Sequence, residues 1–302
     1  MSSPPLATAF ELAAEAGRIC SVATKGQRDL QARVAAYPSL FPDPPVDATM
    51  LSALALSTAF IAPWCSAAEL RTANRASLWV TAEDWYIDSV ATTAETATAT
   101  VTTCLSIAAG DAPAADDPLG RFLADIRDDL AAMPAFGRLA HLWREELHRM
   151  LDAELREWQW RAARDADPTD LPGPAEYLDN APGYGATWVN VSHWIATGAV
   201  DSEQRLAELI TASLAVEKVL RLVNDLASYG RDVKAGDLNI LMLGVDQDDV
   251  RRQVGDQIRR CRTLLDSLAD SCPREAVYLR RELGFTTSFY GGGDFWGSGD
   301  DR

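Results

Sequence analysis

Apolar residues recur every three or four positions along most of the chain, which is the spacing of one face of an α-helix. The clearest case is the stretch 202–233, in which Leu206, Leu209, Val219 and Leu222 keep this spacing. No segment shows the strict alternation of apolar and polar residues that is typical of a half-buried strand. The pattern therefore predicts an all-α fold, a helical bundle that forms a single domain.

Proline and glycine residues mark the ends of the predicted helices. Asp117-Pro118 is a good helix start, because an acidic N-cap precedes a proline in the first turn. Pro182-Gly183-Tyr184-Gly185 should kink or unwind the helix that contains it. The stretch 91–103, rich in Thr and Ala, could be helix or loop. The predicted helices cover 7–36, 47–69, 74–90, 118–131, 135–164, 176–195 with its interruption, 202–233, 246–268 and 274–283.

The 202–233 helix carries three polar residues that are spaced four apart. Asn224, Ser228 and Asp232 would stack on one face over two turns. An amide oxygen, a hydroxyl and a carboxylate suit a hard divalent cation such as Mg²⁺, which readily shares its coordination with a phosphate. Arg231 can offer a forked guanidinium to a phosphate oxygen. The alternative is a solvated polar stripe, against which the apolar flanks of the motif argue.

A second polar cluster lies upstream, in the helix predicted over 74–90. Asp84 and Asp88 are four apart and stand among aromatic and aliphatic residues. Two carboxylates on such a helix repel each other and cost desolvation energy unless a cation lies between them. The alternative is a surface charge cluster, or carboxylates that pair with basic residues elsewhere.

Composition narrows the classes of partner. With 302 residues and a net charge of −16, the chain can bury one large core and is a poor partner for nucleic acid or an anionic membrane. Its five cysteines are scattered and odd in number, as in a reduced cytosolic protein. No signal peptide and no apolar run of about 20 residues is visible, which predicts a cytoplasmic protein without membrane insertion. A homodimer is compatible with this composition.

Together, the two polar clusters resemble the metal motifs of class I terpene synthases. Residues 84–88, Asp-Trp-Tyr-Ile-Asp, resemble the Asp-Asp-x-x-Asp motif, with Trp85 in place of its second Asp. Residues 224–232, Asn-Asp-Leu-Ala-Ser-Tyr-Gly-Arg-Asp, resemble the Asn-Asp-x-x-Ser-x-x-x-Glu motif, with Asp as the final acid. The resemblance covers nearly all of 1–302 and implies one class I terpene synthase domain with three Mg²⁺ per active site. The implied metal ligands and catalytic residues are Asp84, Asp88, Asn224, Ser228 and Asp232.

The chain departs from the family pattern at a second diphosphate contact. Many bacterial members carry a sensor arginine in a Tyr-Leu-x-x-Arg context, whereas Tyr177-Leu178 is followed here by Ala181. This departure looks like the labdane-related group, which implies conversion of copalyl diphosphate to a biformene-like diterpene with release of diphosphate. By the same resemblance Arg231 and Tyr290 would bind the diphosphate. The glycine-rich, aromatic segment 285–302 would be a C-terminal flap and tail, or simply a disordered end.

Aromatic residues near the motifs are candidates for the wall of a hydrocarbon pocket. Trp188, just after the predicted kink, Tyr184 and Trp79 are the strongest of them. Aromatic faces can stabilise a carbocation, by about 0.5 to 2 kcal/mol each. The alternative is that these side chains belong to the core, which is the usual place for a large aromatic residue.

Other functions remain open from the sequence. A conventional sesquiterpene or diterpene cyclase, acting on linear farnesyl or geranylgeranyl diphosphate, would share the same metal motifs. A non-catalytic helical binding protein is favoured only by the incomplete first motif. Asp246-Gln247-Asp248-Asp249 spells the acid motif of class II cyclases, but those enzymes need larger domains, so a helix cap is the better interpretation.

Overall fold

The structure, a computed structural model, describes residues 6–42 and 46–296. Within these residues the chain forms eleven α-helices and no strand, so the predicted all-α class is confirmed. None of the helices is long and apolar enough to cross a membrane. They are α1 (Leu6–Ala36), α2 (Ala48–Ile61), α3 (Arg71–Trp85), α4 (Ala94–Ala109), α5 (Pro118–Ala131), α6 (Phe136–Ala166), α7 (Pro174–Asp179), α8 (Ala186–Ala196), α9 (Glu203–Ala235), α10 (Gln247–Ser267) and α11 (Pro273–Phe289).

Capping residues place several helix ends where the sequence predicts them. α5 has the predicted bounds, because the Asp117 carboxylate accepts a hydrogen bond from the Gly120 N–H at 2.8 Å. Asp246 caps α10 in the same way, accepting from the Asp249 N–H at 2.8 Å. The acidic run at 246–249 is therefore a helix cap, as predicted.

The open stretch 91–103 belongs mostly to α4. Its N-cap is Thr93, and the buried residues Ala97, Val101, Cys104 and Ile107 follow at helical spacing. Burial of this face outweighs the modest helix propensity of the threonines on the other side. The second predicted helix, by contrast, ends at Ile61 and not at residue 69, since Pro63 lacks the N–H that a further turn would need.

The core is centred on three tryptophans from three helices. Trp79 of α3 and Trp143 of α6 both pack on Trp188 of α8, with ring centroids 5.2 and 5.7 Å apart. All three are at most 1% exposed. The Trp143 indole N–H donates to the Ser192 hydroxyl oxygen at 2.9 Å. This cluster fixes α3, α6 and α8 relative to one another, and these helices carry much of the site described below.

Two irregular segments set the shape of that site. The end of α3 passes into a π-helical turn, Tyr86–Val90, which carries Asp88. Between α7 and α8 lies a 3₁₀ turn, Ala181–Tyr184, closed by Gly185 at φ 77°, so the predicted interruption is confirmed. A Cβ at Gly185 would approach Val80 Cγ1 to 2.8 Å, which is why a glycine is needed there.

Candidate active site

One cavity of about 670 Å³ opens between α2, α3, α6, α8, α9 and α11. It is lined by both predicted metal motifs, by the α7–α8 break and by the C-terminal segment that follows α11. Its volume lies within the range of about 300–1,000 Å³ that is usual for small-molecule sites. Apolar side chains complete the wall, among them Leu54, Ile61, Val80 and Val189.

Three carboxylates converge on one wall of this cavity. Asp84 and Asp88 come from the end of α3 and its π-helical turn, and Glu154 comes from the middle of α6. Their nearest oxygens all lie within 4.8 Å of one another. Glu154 is only 6% exposed. Carboxylates at this spacing fit a divalent cation, because oxygen ligands of negative charge suit a hard ion. The sequence pattern did not predict Glu154.

The raised pKa values of the carboxyl groups on this wall also favour a bound cation. Burial raises the pKa of Asp84 to about 6, and the nearby carboxylates of Asp237 and Glu157 add to the shift. Burial also raises the pKa of Glu154 well above its usual value, with Asp84 as the largest charge contribution. Without a cation, ionisation of all three carboxyl groups is unfavourable, because they repel one another and are poorly solvated. A bound cation would lower that electrostatic free energy.

A single guanidinium ties this wall to the other side of the cavity. Arg161 of α6 forms ion pairs with Asp88 and, at 2.9 Å, with Asp237, which follows α9. Its side chain is 13% exposed. Two of the flanking carboxylates are therefore held in place by the chain itself.

The second motif forms the wall contributed by α9. Asn224 and Asp232, two of the predicted metal ligands, line the cavity. Ser228 does not line it, but its hydroxyl donates to the Asp232 carboxylate at 2.6 Å. Asn239, in the turn after α9, donates to the same carboxylate at 2.8 Å. Asp232 is thus oriented from two sides, and Ser228 Oγ still has lone pairs for a further partner.

The two predicted diphosphate-binding residues meet the C-terminal segment. Arg231 pairs with Asp232 at 3.2 Å and with Asp294. The Tyr290 hydroxyl lies 3.0 Å from the Tyr184 hydroxyl. α11 continues to Phe289, so residues 285–289 of the predicted flap are helical, and residues 297–302 lie outside the described residues.

The aromatic lining of the cavity differs from the predicted set. Tyr184 lines it, but Trp79 and Trp188 do not, because both rings are buried in the tryptophan cluster of the core. The Trp79 indole N–H is also engaged, donating to the Leu119 carbonyl at 3.1 Å. The aromatic residues that line the cavity are Trp85, Tyr184, Tyr278, Tyr290, Phe295 and Trp296.

Glu154→Gln tests whether the carboxylate on α6 belongs to the cation site. We expect Mn²⁺ affinity to fall about tenfold or more, because one charged ligand is lost. We also expect the metal-free protein to melt at a higher temperature, since a buried carboxylate is removed from a repulsive cluster. Isothermal titration calorimetry and thermal melting measure the two effects. Glu145→Gln, an exposed change on the same helix, is the control. Unchanged Mn²⁺ affinity would exclude Glu154 as a ligand.

Stability should fall with rising pH between about 7 and 8.5. Burial raises the pKa of Glu217 and of Glu282 to about 8 from the usual 4.5. The folded state therefore holds protons that the unfolded state has already released, so the free energy of unfolding decreases as pH rises towards 8. Buried His193, with its pKa lowered to about 4, acts in the opposite direction but only below about pH 6.5. Urea unfolding at pH 7.0 and 8.5 measures the slope, and Glu217→Gln should flatten it.

Comparisons with known proteins agree with this geometry. Residues 76–263 match the family "Terpene synthase family 2, C-terminal metal binding". An ent-pimara-9(11),15-diene synthase from Streptomyces sp. (strain KO-3988) is 32% identical over 285 residues, which cover 93% of this chain and 94% of that protein.

Solved structures share the fold at lower identity. The linalool/nerolidol synthase from Streptomyces clavuligerus, in complex with 2-fluorogeranyl diphosphate, has a TM-score of 0.64 at 19% identity, covering 90% of this chain and 94% of that one. Wild-type cucumene synthase has a TM-score of 0.67 at 15% identity, covering 89% of this chain and 96% of that one. By its family match and its 32% identical relative, this chain belongs to terpene synthase family 2 and is a class I terpene synthase of the bacterial type.

Proposed function

We propose that the enzyme converts copalyl diphosphate to a labdane-related, biformene-like diterpene, with release of diphosphate. The observation that supports this most strongly is that one cavity combines a carboxylate wall, the Asn224–Asp232 wall and an apolar, aromatic lining. The name of the 32% identical relative is that of a diterpene synthase, which supports a C20 substrate. Ala181 stands where many bacterial members have the sensor arginine, which supports a substrate other than linear farnesyl or geranylgeranyl diphosphate.

The cations in this proposal are Mg²⁺, three per active site. Asp84, Asp88 and Glu154 would hold metal on one wall, and Asn224, Ser228 and Asp232 on the other. When bound, Mg²⁺ neutralises charge on a diphosphate and so favours its departure. The protein contributes oxygen ligands that are already oriented, since hydrogen bonds from Ser228 and Asn239 fix Asp232.

The chain's own residues assist the step in which the carbon–oxygen bond breaks. The electron pair of that bond leaves with the diphosphate, so negative charge develops on its oxygens. Arg231, at the edge of the α9 wall, can donate to those oxygens in exchange for its contact with Asp294. The Tyr290 hydroxyl, hydrogen-bonded to Tyr184, is a second donor at this end. The carbocation that remains would lie against the aromatic and apolar side chains of the lining.

Incubation of the purified protein and Mg²⁺ with copalyl, geranylgeranyl and farnesyl diphosphates tests this proposal. We expect a hydrocarbon from copalyl diphosphate, detected by gas chromatography–mass spectrometry, with stoichiometric release of diphosphate. Product from a linear substrate alone would assign the enzyme to the conventional cyclases. No diphosphate release from any of the three would contradict the proposal for all these substrates. Omission of Mg²⁺ with added EDTA is the control, and it should abolish turnover.

A further inference from the structure

A row of polar residues leads from the diphosphate end of the cavity into its depth. Glu282 and Thr286 are four apart on α11, Tyr290 follows four residues later as the C-cap of that helix, and all three line the cavity. We take Tyr290 as the diphosphate end, because its hydroxyl lies 3.0 Å from that of Tyr184 and Asn224 of the second motif lines the same cavity. Eight residues of α-helix span about 12 Å. Glu282 therefore lies about two helical turns before Tyr290, beside Asn190 of α8, and we take this part of the lining to face the hydrocarbon part of a substrate.

The Glu282 carboxylate is held as an acceptor by its neighbours. Asn190 Nδ2 donates to its two oxygens at 2.9 and 3.2 Å and also to the Ser213 hydroxyl at 3.0 Å. The Tyr278 hydroxyl donates to Asn190 Oδ1 at 2.8 Å. Both the NH₂ group and the oxygen of Asn190 are therefore engaged in hydrogen bonds. The Glu282 carboxylate accepts from Asn190 and keeps further lone pairs that can accept from a group in the cavity. The hydrogen bonds fix its position, and its ionised form can accept one proton.

The environment of Glu282 suits proton transfer at a pH close to 8. Burial raises its pKa to about 8, and the hydrogen bond from Asn190 opposes that shift. A general base works best when its pKa lies close to the working pH. A carbocation in the same cavity would attract the ionised form and so favour it further.

We propose that Glu282 accepts the proton that ends the reaction at the deep end of the cavity. This inference rests on the proposed function. The C–H bond next to the cationic carbon breaks, its electron pair forms the C=C bond of the product, and the proton passes to a Glu282 carboxylate oxygen. Glu282 later returns that proton to water. The departed diphosphate would stay near Tyr290 and Arg231, at the other end of this row of residues.

Glu282→Gln separates proton acceptance from the first step of the reaction. Gln keeps an oxygen that can accept from Asn190, but it cannot take up the proton. With the substrate that the wild type consumes, we expect the share of the main alkene among the products to fall about tenfold or more. Alcohols or isomeric alkenes should replace it, and diphosphate release should slow only a few-fold. Both are measured in one assay, by phosphate detection and gas chromatography–mass spectrometry.

Two further variants make the result specific. Glu217→Gln is the matched control: Glu217 is as deeply buried, with its pKa also raised to about 8, but it accepts from Thr187 and does not line the cavity. It should leave the product profile unchanged. Glu282→Asp keeps a carboxylate and should recover part of the wild-type alkene share.

The outcomes distinguish this inference from the function on which it rests. An unchanged product profile in a folded Glu282→Gln protein would overturn the role of Glu282 and leave the proposed function intact. Equal changes in Glu217→Gln and Glu282→Gln would also overturn it, since they would indicate a general effect of buried carboxyl groups. No turnover by the wild type with any of the three diphosphates would remove the proposed function, and this inference with it.

Discussion

Diphosphate release should fall about 100-fold or more when Asn224 is replaced by alanine. Asn224 lies on the cavity wall one helical turn before Ser228 and two before Asp232, and alanine supplies no side-chain oxygen in its place. A ligand on this wall matters most when charge develops on the leaving group, so the loss should appear in kcat and not only in KM. Diphosphate release under saturating substrate and Mg²⁺ measures it.

The control for this substitution lies on the same helix. Lys234→Ala changes an exposed residue two positions beyond Asp232 and should leave the rate of release within about threefold of the wild type. Thermal melting of Asn224→Ala checks that the fold is retained. A rate within about tenfold of the wild type in a folded Asn224→Ala protein would exclude Asn224 as a metal ligand, whatever the role of the other residues.

Trp188→Ala should destabilise the protein by about 3–5 kcal/mol. The ring is 1% exposed and packs on Trp79 and Trp143, so its removal leaves a cavity in the cluster that joins α3, α6 and α8. Urea unfolding followed by circular dichroism measures the free energy of unfolding. Trp64→Ala, at a residue that is 39% exposed, should cost about 0.5 kcal/mol or less.

Trp188→Phe refines the same test. The indole N–H of Trp188 has no hydrogen-bond partner among the described residues, so phenylalanine loses packing but no hydrogen bond. We expect a smaller loss of stability than for alanine, with the product profile unchanged. A shifted product profile at full stability would mean that Trp188 contacts the substrate after all, as the sequence predicted.

The sequence predicted most of the fold because helix ends carry local chemistry. Asp117 and Asp246 identify the starts of α5 and α10, and each is seen to cap its helix. The end of α11 was missed because Phe285–Phe289 looks irregular next to glycines, whereas Leu283 and Thr286 are buried there and hold the helix. Local pattern defines caps well, but it does not show which segments tertiary packing will extend.

The candidate site was predicted in part, for a related reason. Asp84, Asp88, Asn224 and Asp232 keep helical spacing within short motifs, so their common orientation is visible in the sequence. Glu154 stands in a run of charged residues on α6 that looks like a solvated, salt-bridged face. Only the packing of α6 under the α7–α8 break turns that residue inward, beside Gly183, where a Cβ would come within 2.8 Å of its Oε1.

The sequence also does not show which aromatic side chains line the cavity. A tryptophan at helical spacing can face the core or a cavity, and spacing alone does not distinguish the two. Trp188 and Trp79 face the core, whereas Trp85 and Trp296 face the cavity. Trp296 is only two residues beyond Asp294, so its position depends on a long-range ion pair with Arg231 that no local pattern reveals.

The Arg161 bridge between Asp88 and Asp237 has a consequence for the entropy of binding. Arg161 joins the π-helical turn after α3 to the segment after α9. The distance between these two sides of the cavity is therefore set when the protein folds. If Asp88 and Asp237 were not joined, they would lose conformational freedom when a ligand binds. In this protein that freedom is already lost before binding. A charged ligand therefore binds with a smaller loss of conformational entropy. Arg161 contributes to the affinity in this way without contacting the ligand.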